Sequence, residues 1–277
     1  MTVRRSTRRK PWTAGVVLGL ILLGTLAPLY WLVTSSLKTS NELASIPATL
    51  WPQSLSFENF ATVLGEGTIV EASLRSLAIA LMTTVMVVVL ASLSAYATTH
   101  LRFRFGSHLL TLSFVTQLLP QAATLLPVFL LWRNLGLIDT LPGITLAYIA
   151  FQLPVAVWII TGHFASIPNE VIEAAEVDGS GPLRTLFRVI IPMAGAGIAA
   201  VAIWAIIGCW GELLFALILL SGDLQTVPVA LASMVGQHTT SWGVVLAAST
   251  IAALPPLLLF FLLQKYFADG ISGAVKA

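Results

Sequence analysis

The chain has 277 residues, of which 57% are hydrophobic and 9% are charged, and its mean hydropathy is +0.92. These values exclude an ordinary soluble domain and indicate a membrane protein whose apolar surface faces lipid. The formal net charge of +2 is too small to suggest a nucleic-acid partner.

Residues 1–11 are basic, and an apolar run over 12–34 follows them. The length of this run predicts a first transmembrane helix. A basic stretch before an apolar one is also typical of a cleaved signal peptide. We favour a membrane anchor, because the run is long and residues 28–31, Pro-Leu-Tyr-Trp, make a poor cleavage site.

Beyond the first helix the sequence predicts an outer loop over 35–73 and a core of further membrane spans over 74–266. The loop is rich in polar and turn residues and is too short for a separate ligand-binding domain. Further apolar runs within the core are long enough to cross a bilayer. These runs cover residues 74–98, 109–132, 142–163, 193–220 and 243–264.

Several prolines interrupt these predicted spans. Proline has no amide N–H and can kink a helix, which suits a path that opens to alternate sides of a membrane. Proline is also common in membrane helices without such a role. The prolines concerned are Pro120, Pro127, Pro154, Pro255 and Pro256.

The basic residues indicate the orientation of the six predicted spans. An even number of spans puts both termini on one side of the membrane. With the N-terminus in the cytoplasm, 11 of the 14 lysine and arginine residues lie inside, and only Lys38, Arg75 and Arg133 lie outside. This orientation predicts a cytoplasmic tail over 267–277 and puts the polar segment 168–192 in the cytoplasm.

Segment 168–192 predicts two short helices joined by a turn. Pro168 suits the first position of a helix, and Gly179 can take the left-handed conformation that ends it. Ser180 can cap a second helix, which Pro192 is expected to stop. One apolar stripe of this second helix contains Leu183, Leu186, Phe187 and Ile190.

The same segment contains, in order, Glu173-Ala174-Ala175, Asp178-Gly179, Phe187, Val189 and Ile191-Pro192. This pattern resembles the cytoplasmic EAA loop of ABC importer permeases, which docks into the ATPase subunit. The resemblance implies polar contacts from the acidic residues, a close fit at the small residues and apolar anchors on the second helix. The residues expected to couple the chain to the ATPase are Glu173, Ala174, Ala175, Asp178, Gly179, Leu183, Phe187 and Pro192.

The resemblance extends beyond this loop. Residues 57–64 and 135–140 are similar to outer-loop signatures of the carbohydrate-importing branch, and residues 270–276 are similar to the cytoplasmic tail of the maltose-type second permease. The resemblance implies an all-α membrane protein with six transmembrane helices, in the ABC importer type I permease architecture with a cytoplasmic EAA coupling helix. It also implies that the first helix is peripheral to a core transmembrane domain of five helices over 74–266. In the tail it implies contacts from Gly273, Ala274, Val275 and Lys276.

The resemblance also implies partners and a location. With a second permease subunit, the chain is expected to form the pathway for a sugar or related carbohydrate across a bacterial-type inner membrane. Its other expected partners are an ATPase subunit dimer, an external substrate-binding protein and the lipid bilayer. The sequence has no Gly-Lys pair and therefore no Walker A loop, so ATP and Mg are expected on the partner ATPase and no cofactor on this chain.

The sequence offers no catalytic pattern. It lacks a His-Glu-x-x-His zinc helix and a Gly-x-Ser-x-Gly elbow, and its four histidines lie at separate ends of spans. The single cysteine, Cys209, excludes an internal disulfide and a cysteine-cluster metal site. A transporter subunit is therefore expected rather than an enzyme.

Polar and aromatic residues at membrane depth are candidates for the pathway, because such residues are costly in lipid and are often functional. Glu212 can lie beside the path or an outer gate, or it can bind a helix-end amide. The glutamines can bind sugar hydroxyls or join helices, and Trp158 or Trp204 can stack on a sugar or lie at an interface. The candidate pathway residues are Gln117, Gln121, Gln152, Trp158 and Glu212.

The outer segment 221–242 mixes apolar and hydrogen-bonding residues. Family resemblance implies a loop that reaches the sugar site of a docked binding protein through Gln237 and His238. A surface or re-entrant connection is the alternative.

Two functions of other classes stay open from the sequence. An ion-coupled secondary carrier would also be apolar, but it predicts an inverted repeat and a relay of carboxylates or histidines, and neither is visible. A non-transporting membrane scaffold would use the polar segment only for assembly.

Overall fold

The computed structural model of the chain describes residues 11–101, 103, 105–236 and 240–274. Within these residues all regular secondary structure is helical, which confirms the predicted all-α fold. The described residues form two compact units. The first holds residues up to Gly67 and those from Met234 to Ala252, and the second holds Thr68–Ser233 and the residues from Ala253 onward.

In chain order the α-helices are α1 (Pro11–Ser36), α2 (Ser40–Leu43), α3 (Glu58–Glu66), α4 (Thr68–Thr99), α5 (Gly106–Thr116), α6 (Gln121–Asn134), α7 (Leu141–Ala165), α8 (Asn169–Val177), α9 (Pro182–Thr185), α10 (Ile191–Met193), α11 (Gly195–Trp210), α12 (Leu214–Leu219), α13 (Val227–Ser233) and α14 (Trp242–Ala274). A π-helical segment, Leu186–Ile190, joins α9 to α10. A 3₁₀ turn, Gly222–Leu224, precedes α13.

Among the described residues, four single helices are long and apolar enough to cross a membrane. They are Gly15–Ser36, Thr68–Thr99, Leu141–Ala165 and Trp242–Leu259. Two bent pairs meet the same criteria, Leu110–Thr116 with Gln121–Asn134 and Pro182–Met193 with Gly195–Trp210. The number of candidate spans is therefore four, or six when each bent pair counts as one span.

The predicted span 109–132 is broken by a sharp bend. α5 ends at Thr116, α6 begins at Gln121, and their axes are bent by 99°. Pro120 lies directly before α6, and proline disfavours a helical conformation in the residue that precedes it. Four other prolines lie inside continuous helices, so proline alone does not decide where a helix breaks. They are Pro127, Pro154, Pro255 and Pro256.

The predicted span 193–220 is also interrupted. α11 ends at Trp210, Gly211 is its C-cap, and α12 begins at Leu214. Glycine is a poor helix former, and the acidic Glu212 favours the beginning of a new helix. At the other end, Ala194 separates α10 from α11, and the chain bends there by 85°.

In the first unit, buried polar groups fold the segment that follows α1. The Asn59 amide donates to the carbonyl oxygens of Ser36 and Lys38, at 3.2 and 2.9 Å. The buried Lys38 ammonium donates to the carbonyl oxygen of Thr49 and lies 4.6 Å from the centre of the Trp31 ring. These contacts offset the cost of burying a cation. Part of the predicted outer loop is therefore packed against the end of α1.

The core of the second unit lies where α4, α7 and α11 pack together. Small side chains at the contacts let helices approach closely. They include Ala80, Ala91 and Ala95 of α4, Ala156 of α7 and Ala205 of α11, all fully buried. This packing gives a fixed frame for the polar segment at one end of α11 and for the break at its other end.

The first turn of α7 approaches the preceding loop closely at Gly143. A Cβ atom there would lie 2.0 Å from the carbonyl oxygen of Leu137 and 2.9 Å from the Thr140 hydroxyl. We expect Gly143→Ala to lower the free energy of unfolding by about 1–3 kcal/mol, as overpacking does. The measurement is the Tm of the solubilised protein.

Gly162→Ala is the matched control for that variant. Gly162 lies in the same helix, and a Cβ atom there would meet nothing within 4 Å. This control should be neutral or stabilising, because alanine favours a helix over glycine. Equal Tm values for the two variants would contradict the close approach at Gly143.

Candidate functional site

The polar segment 168–192 forms two short helical pieces around a tight turn, as predicted. The Ser180 N–H donates to the carbonyl oxygen of Ala175 and the Gly179 N–H to that of Glu176, each at 2.9 Å, which is the Schellman pattern. Gly179 has φ +76°, a conformation that disfavours side chains. The turn therefore requires glycine or a residue that tolerates the left-handed region.

Two predicted boundaries in this segment are wrong by one residue. Pro168 is the N-cap of α8 and not its first residue. Gly181, rather than Ser180, is the N-cap before Pro182, because the Ser180 amide closes the turn that ends α8. Neither shift moves the acidic residues or Gly179 away from the turn.

The second helical piece has a buried side and an exposed side. Leu186 and Ile190 are fully buried, whereas Leu183 and Phe187 are 62% and 50% exposed. The exposed pair is four residues apart and so lies on one face. The single predicted stripe is therefore wrong: two members anchor the segment in the core of the second unit, and two face outward.

On α8 the predicted contact residues also divide. Glu173, Ala174 and Asp178 are exposed, as is Gly179 in the turn. The Ala175 side chain is buried and faces the protein interior instead. A partner that docks on this segment would therefore meet the acidic side chains, Ala174 and the glycine turn.

Pro192 does not stop the second helix, contrary to prediction. The helix continues as α10, which ends at Met193 with Ala194 as its C-cap. The preceding residues form a π-helical turn in which the Ile191 N–H donates to the carbonyl oxygen of Leu186. Such a turn changes the hydrogen-bond register and accommodates a residue that has no N–H. The exposed Pro192 thus lies inside the helical run, just before the bend into α11.

His100 ties the beginning of this segment to the end of α4. Its Nε2 lies 3.2 Å from the carbonyl oxygen of Phe164, and its Nδ1 lies 3.4 Å from Oδ1 of Asn169. The His100 ring also packs against the ring of Tyr96, with centroids 5.8 Å apart. The connection between α7 and α8 is therefore bound to a third helix.

A second cluster of predicted residues lies beside the break between α5 and α6 and the break between α11 and α12. A cavity of about 350 Å³ is lined there by polar and aromatic side chains. Four of the five candidate pathway residues line it, together with Trp204. Those four are Gln117, Gln121, Gln152 and Glu212. Lining residues that the sequence did not single out are Thr116, Leu119, Tyr148, Phe151, Gly208 and Phe215.

Glu212 makes the helix-end contact that was one of the two alternatives, and it also lines the cavity. Its carboxylate accepts hydrogen bonds from the N–H groups of Phe215 and Ala216, at 2.9 and 3.1 Å, and so caps α12. It also accepts a bond of 3.1 Å from the side-chain amide of Gln121, at the start of α6. The same carboxylate lines the cavity. It therefore links the start of α6 to the start of α12 and presents carboxylate oxygens to the cavity.

The remaining glutamines are held through their amide nitrogens. Gln117 donates to the carbonyl oxygen of Phe151 at 3.0 Å, and Gln152 donates to that of Ala205 at 3.5 Å. Gln152 lies directly over Gly208, where a Cβ atom would come within 2.0 Å of its amide nitrogen. Gly208 therefore makes room for Gln152, a role that no sequence pattern indicated.

Trp158 does not line this cavity. Its side chain is 62% exposed, and its ring packs against Phe114 with centroids 6.0 Å apart. This exposed position on α7 allows contact with lipid or with a second subunit. Trp204 is the tryptophan that lines the cavity.

Some predicted residues cannot be placed. Gln237 and His238 lie outside the described residues, as do Val275 and Lys276. Gly273 and Ala274 end α14, but the environment of these positions is likewise not described. Within the described part of the chain, no group of three histidine, cysteine or acidic side chains could hold a metal ion.

Comparison with known proteins identifies the family. Residues 87–273 match the family described as binding-protein-dependent transport system inner membrane component. The trehalose transport system permease protein SugB of Mycobacterium tuberculosis is 32% identical over 95% of this chain and 97% of its own length. The trehalose/maltose transport system permease protein MalG of Thermococcus litoralis is 31% identical, over 94% and 96%.

A solved structure supports the fold. It is that of a bacterial ABC transporter involved in the import of the acidic polysaccharide alginate. Its chain matches with a TM-score of 0.81, covering 96% of this chain and 99% of that one at 23% identity. The fold of this chain is therefore similar to that of the transporter chain over nearly its whole length. Since the family match covers most of the sequence, the chain belongs to the inner membrane components of binding-protein-dependent transport systems, as a multi-pass ABC permease subunit.

Proposed function

We propose that this permease forms, with a second permease subunit, the pathway for a sugar or related carbohydrate that an external binding protein delivers. A dimer of separate ATPase subunits would bind ATP and drive the cycle. Relatives named for trehalose or maltose transport support the carbohydrate class. The family assignment decides against an ion-coupled carrier and a non-transporting scaffold.

The observation that carries the coupling part of the proposal is the exposed apolar pair Leu183 and Phe187. These side chains project from a segment whose other side is fixed by the buried Leu186 and Ile190. Exposed large apolar side chains on a segment that is fixed to the core are typical of a docking site. Aromatic residues at such sites often dominate the binding energy. Glu173 and Asp178 would add polar contacts at the rim.

Segment 168–192 is also connected to other helices at both of its ends, as the transmission of a movement requires. His100 ties its beginning to α4, and Ala194 is the bend that joins its end to α11. A docked ATPase can shift the permease between states only if it contacts the segment differently in each state. The positive-inside count supports a cytoplasmic position for the segment and for both termini.

The cavity beside Glu212 would bind the transported sugar. Carboxylate and amide oxygens accept hydrogen bonds from sugar hydroxyls, and aromatic rings such as Trp204 can pack against the apolar face of a sugar. A carboxylate at membrane depth is costly, so its position at a lined cavity favours a role in transport. Gln117, Gln121 and Gln152 would share this role.

Two further contacts rest on family resemblance. Gln237 and His238 would meet the docked binding protein on the outer side. Gly273, Ala274, Val275 and Lys276 would meet the ATPase dimer on the cytoplasmic side.

The turn at Gly179 provides a direct test of coupling. We expect Gly179→Val to reduce uptake per ATP hydrolysed by about tenfold, because a positive φ costs a β-branched residue about 1–2 kcal/mol. Gly179→Asn should stay close to wild type, since asparagine tolerates this conformation. Uptake and ATP hydrolysis are measured together on the purified complex in liposomes.

Gly181→Ala is the control for the Gly179 variants. Gly181 has φ −74°, and a methyl group added there would meet nothing within 4 Å, so alanine fits without strain. If Gly179→Val transports and assembles normally, the turn has no role in coupling.

The apolar anchors are tested by docking. We expect Phe187→Ala to weaken association with the ATPase by about 2 kcal/mol, or roughly thirtyfold, as loss of an aromatic anchor does. Phe187→Leu is the matched control, because it keeps an apolar side chain in the same place. Co-purification of ATPase with each variant is the measurement, and equal yields for alanine and wild type would refute the docking role.

The cavity is tested through Gly208. Alanine there would displace Gln152, so we expect Gly208→Ala to raise the sugar concentration for half-maximal uptake about threefold to tenfold, the value of one hydrogen bond. The sugar is first chosen by its binding to the external partner. Gly195→Ala in the same helix has open space and serves as control. Unchanged uptake in the Gly208 variant would remove Gln152 from the pathway.

A further inference from the structure

α12 is held at both ends by acidic side chains from different parts of the chain. Glu212 caps its N-terminus, as described above. At its C-terminal end, the Ser221 N–H donates to Oδ1 of Asp139 at 2.8 Å, and the Asp139 N–H donates to the carbonyl oxygen of Leu219 at 2.8 Å. One residue of the loop between α6 and α7 therefore makes two bonds to the end of α12.

The backbone of Asp139 is suited to this double contact. Its φ of +58° is the one positive value among the described residues other than glycine. Aspartate tolerates the left-handed region better than most residues, but the conformation still needs support from its surroundings. Here the two bonds to Leu219 and Ser221 provide such support.

The loop that carries Asp139 is itself fixed. The Thr140 hydroxyl accepts a bond of 3.0 Å from the Gly143 N–H and caps α7. The indole N–H of Trp132, in α6, donates to the carbonyl oxygen of Gly143 at 2.7 Å. Asp139 therefore extends from a rigid joint between α6 and α7 and not from a loose loop.

The position of α12 decides what closes the cavity. Phe215 lines it and packs against Phe151 with ring centroids 4.6 Å apart. The inward side of α12 belongs to the same buried cluster as Cys209 of α11. If α12 moves away, this cluster opens and the carboxylate of Glu212 loses the amides it caps.

We propose that Asp139 is a positioning residue that latches α12 to the α6–α7 joint and thereby holds Phe215 and Glu212 at the cavity. The inference deepens the proposed function, since it makes the latch a determinant of the pathway. Its structural part, the latching of α12, can be tested without knowledge of the cargo.

The single cysteine supplies the reporter. Cys209 is buried, so its reaction with a maleimide measures how often the cluster under α12 opens. The complex that co-purifies with the full chain is placed in nanodiscs, where reagent reaches both faces. Mass spectrometry of the peptide containing Cys209 separates its labelling from that of other subunits.

Three substitutions of Asp139 separate the contribution of its side chain from that of its backbone conformation. Asp139→Asn keeps a side-chain acceptor and tolerates the positive φ, so labelling should stay within about twofold of wild type. Asp139→Gly keeps the backbone bond to Leu219 but loses the acceptor for Ser221, and labelling should rise about threefold to tenfold. Asp139→Ala also strains the backbone and should label at least as fast as the glycine variant.

Glu66→Ala controls for loss of an exposed acidic side chain, because among the described residues the Glu66 carboxylate makes no hydrogen bond or ion pair. In this variant Cys209 should be labelled at the wild-type rate. Wild-type labelling of Asp139→Ala and Asp139→Gly would overturn the latch, as would equally fast labelling of Asp139→Asn. The Tm distinguishes general unfolding from local opening under α12. It should change little in the glycine variant.

The result is distinguishable from a failure of the proposed function. If the latch is absent, Cys209 labelling is unchanged while the coupling variants still behave as described. If the pathway proposal is wrong, the labelling series holds but sugar uptake does not follow it.

Discussion

The hydrogen bonds that Glu212 accepts at the break after α11 are the interaction on which the centre of the second unit depends. A break within a membrane span exposes backbone N–H groups that lipid cannot satisfy, and each unsatisfied group is costly. One carboxylate accepts two of these N–H groups and also the side-chain amide of Gln121 from the other broken span. The two interruptions are therefore stabilised together, and the polar groups that permit them are the groups that line the cavity.

This shared origin means that the structural role of Glu212 is compatible with its proposed role in transport. A continuous helix satisfies its own backbone hydrogen bonds. A broken helix requires polar caps, and here the polar cap also lines the cavity. The glutamines follow the same logic, because Gln117 and Gln152 bind carbonyl oxygens of neighbouring helices while they line the cavity.

Local features of the fold were predictable from sequence, and those that depend on distant contacts were not. Hydropathy located the apolar runs, and Gly179 indicated the turn because positive φ is a property of a few neighbouring residues. The carboxylate that follows the break after Trp210 also accepts a hydrogen bond from Gln121, 91 positions from Glu212. The inward face of Ala175 and the outward face of Trp158 depend on which helices pack nearby. For Trp158, periodicity could not decide the orientation, because both faces of a membrane helix are apolar.

α11 connects the two sites and explains how one can act on the other. With 16 residues it is about 24 Å long, and it is packed in the core through Val201 and Ala205. The bend at Ala194 joins one end to the coupling segment, and Glu212 follows directly after its other end. A packed helix transmits displacement rather than absorbing it, since interiors are dense and resist compression. In the proposed cycle, a shift of segment 168–192 therefore reaches the cap of α12 through α11. A flexible connection would lose this motion before it reached the cavity.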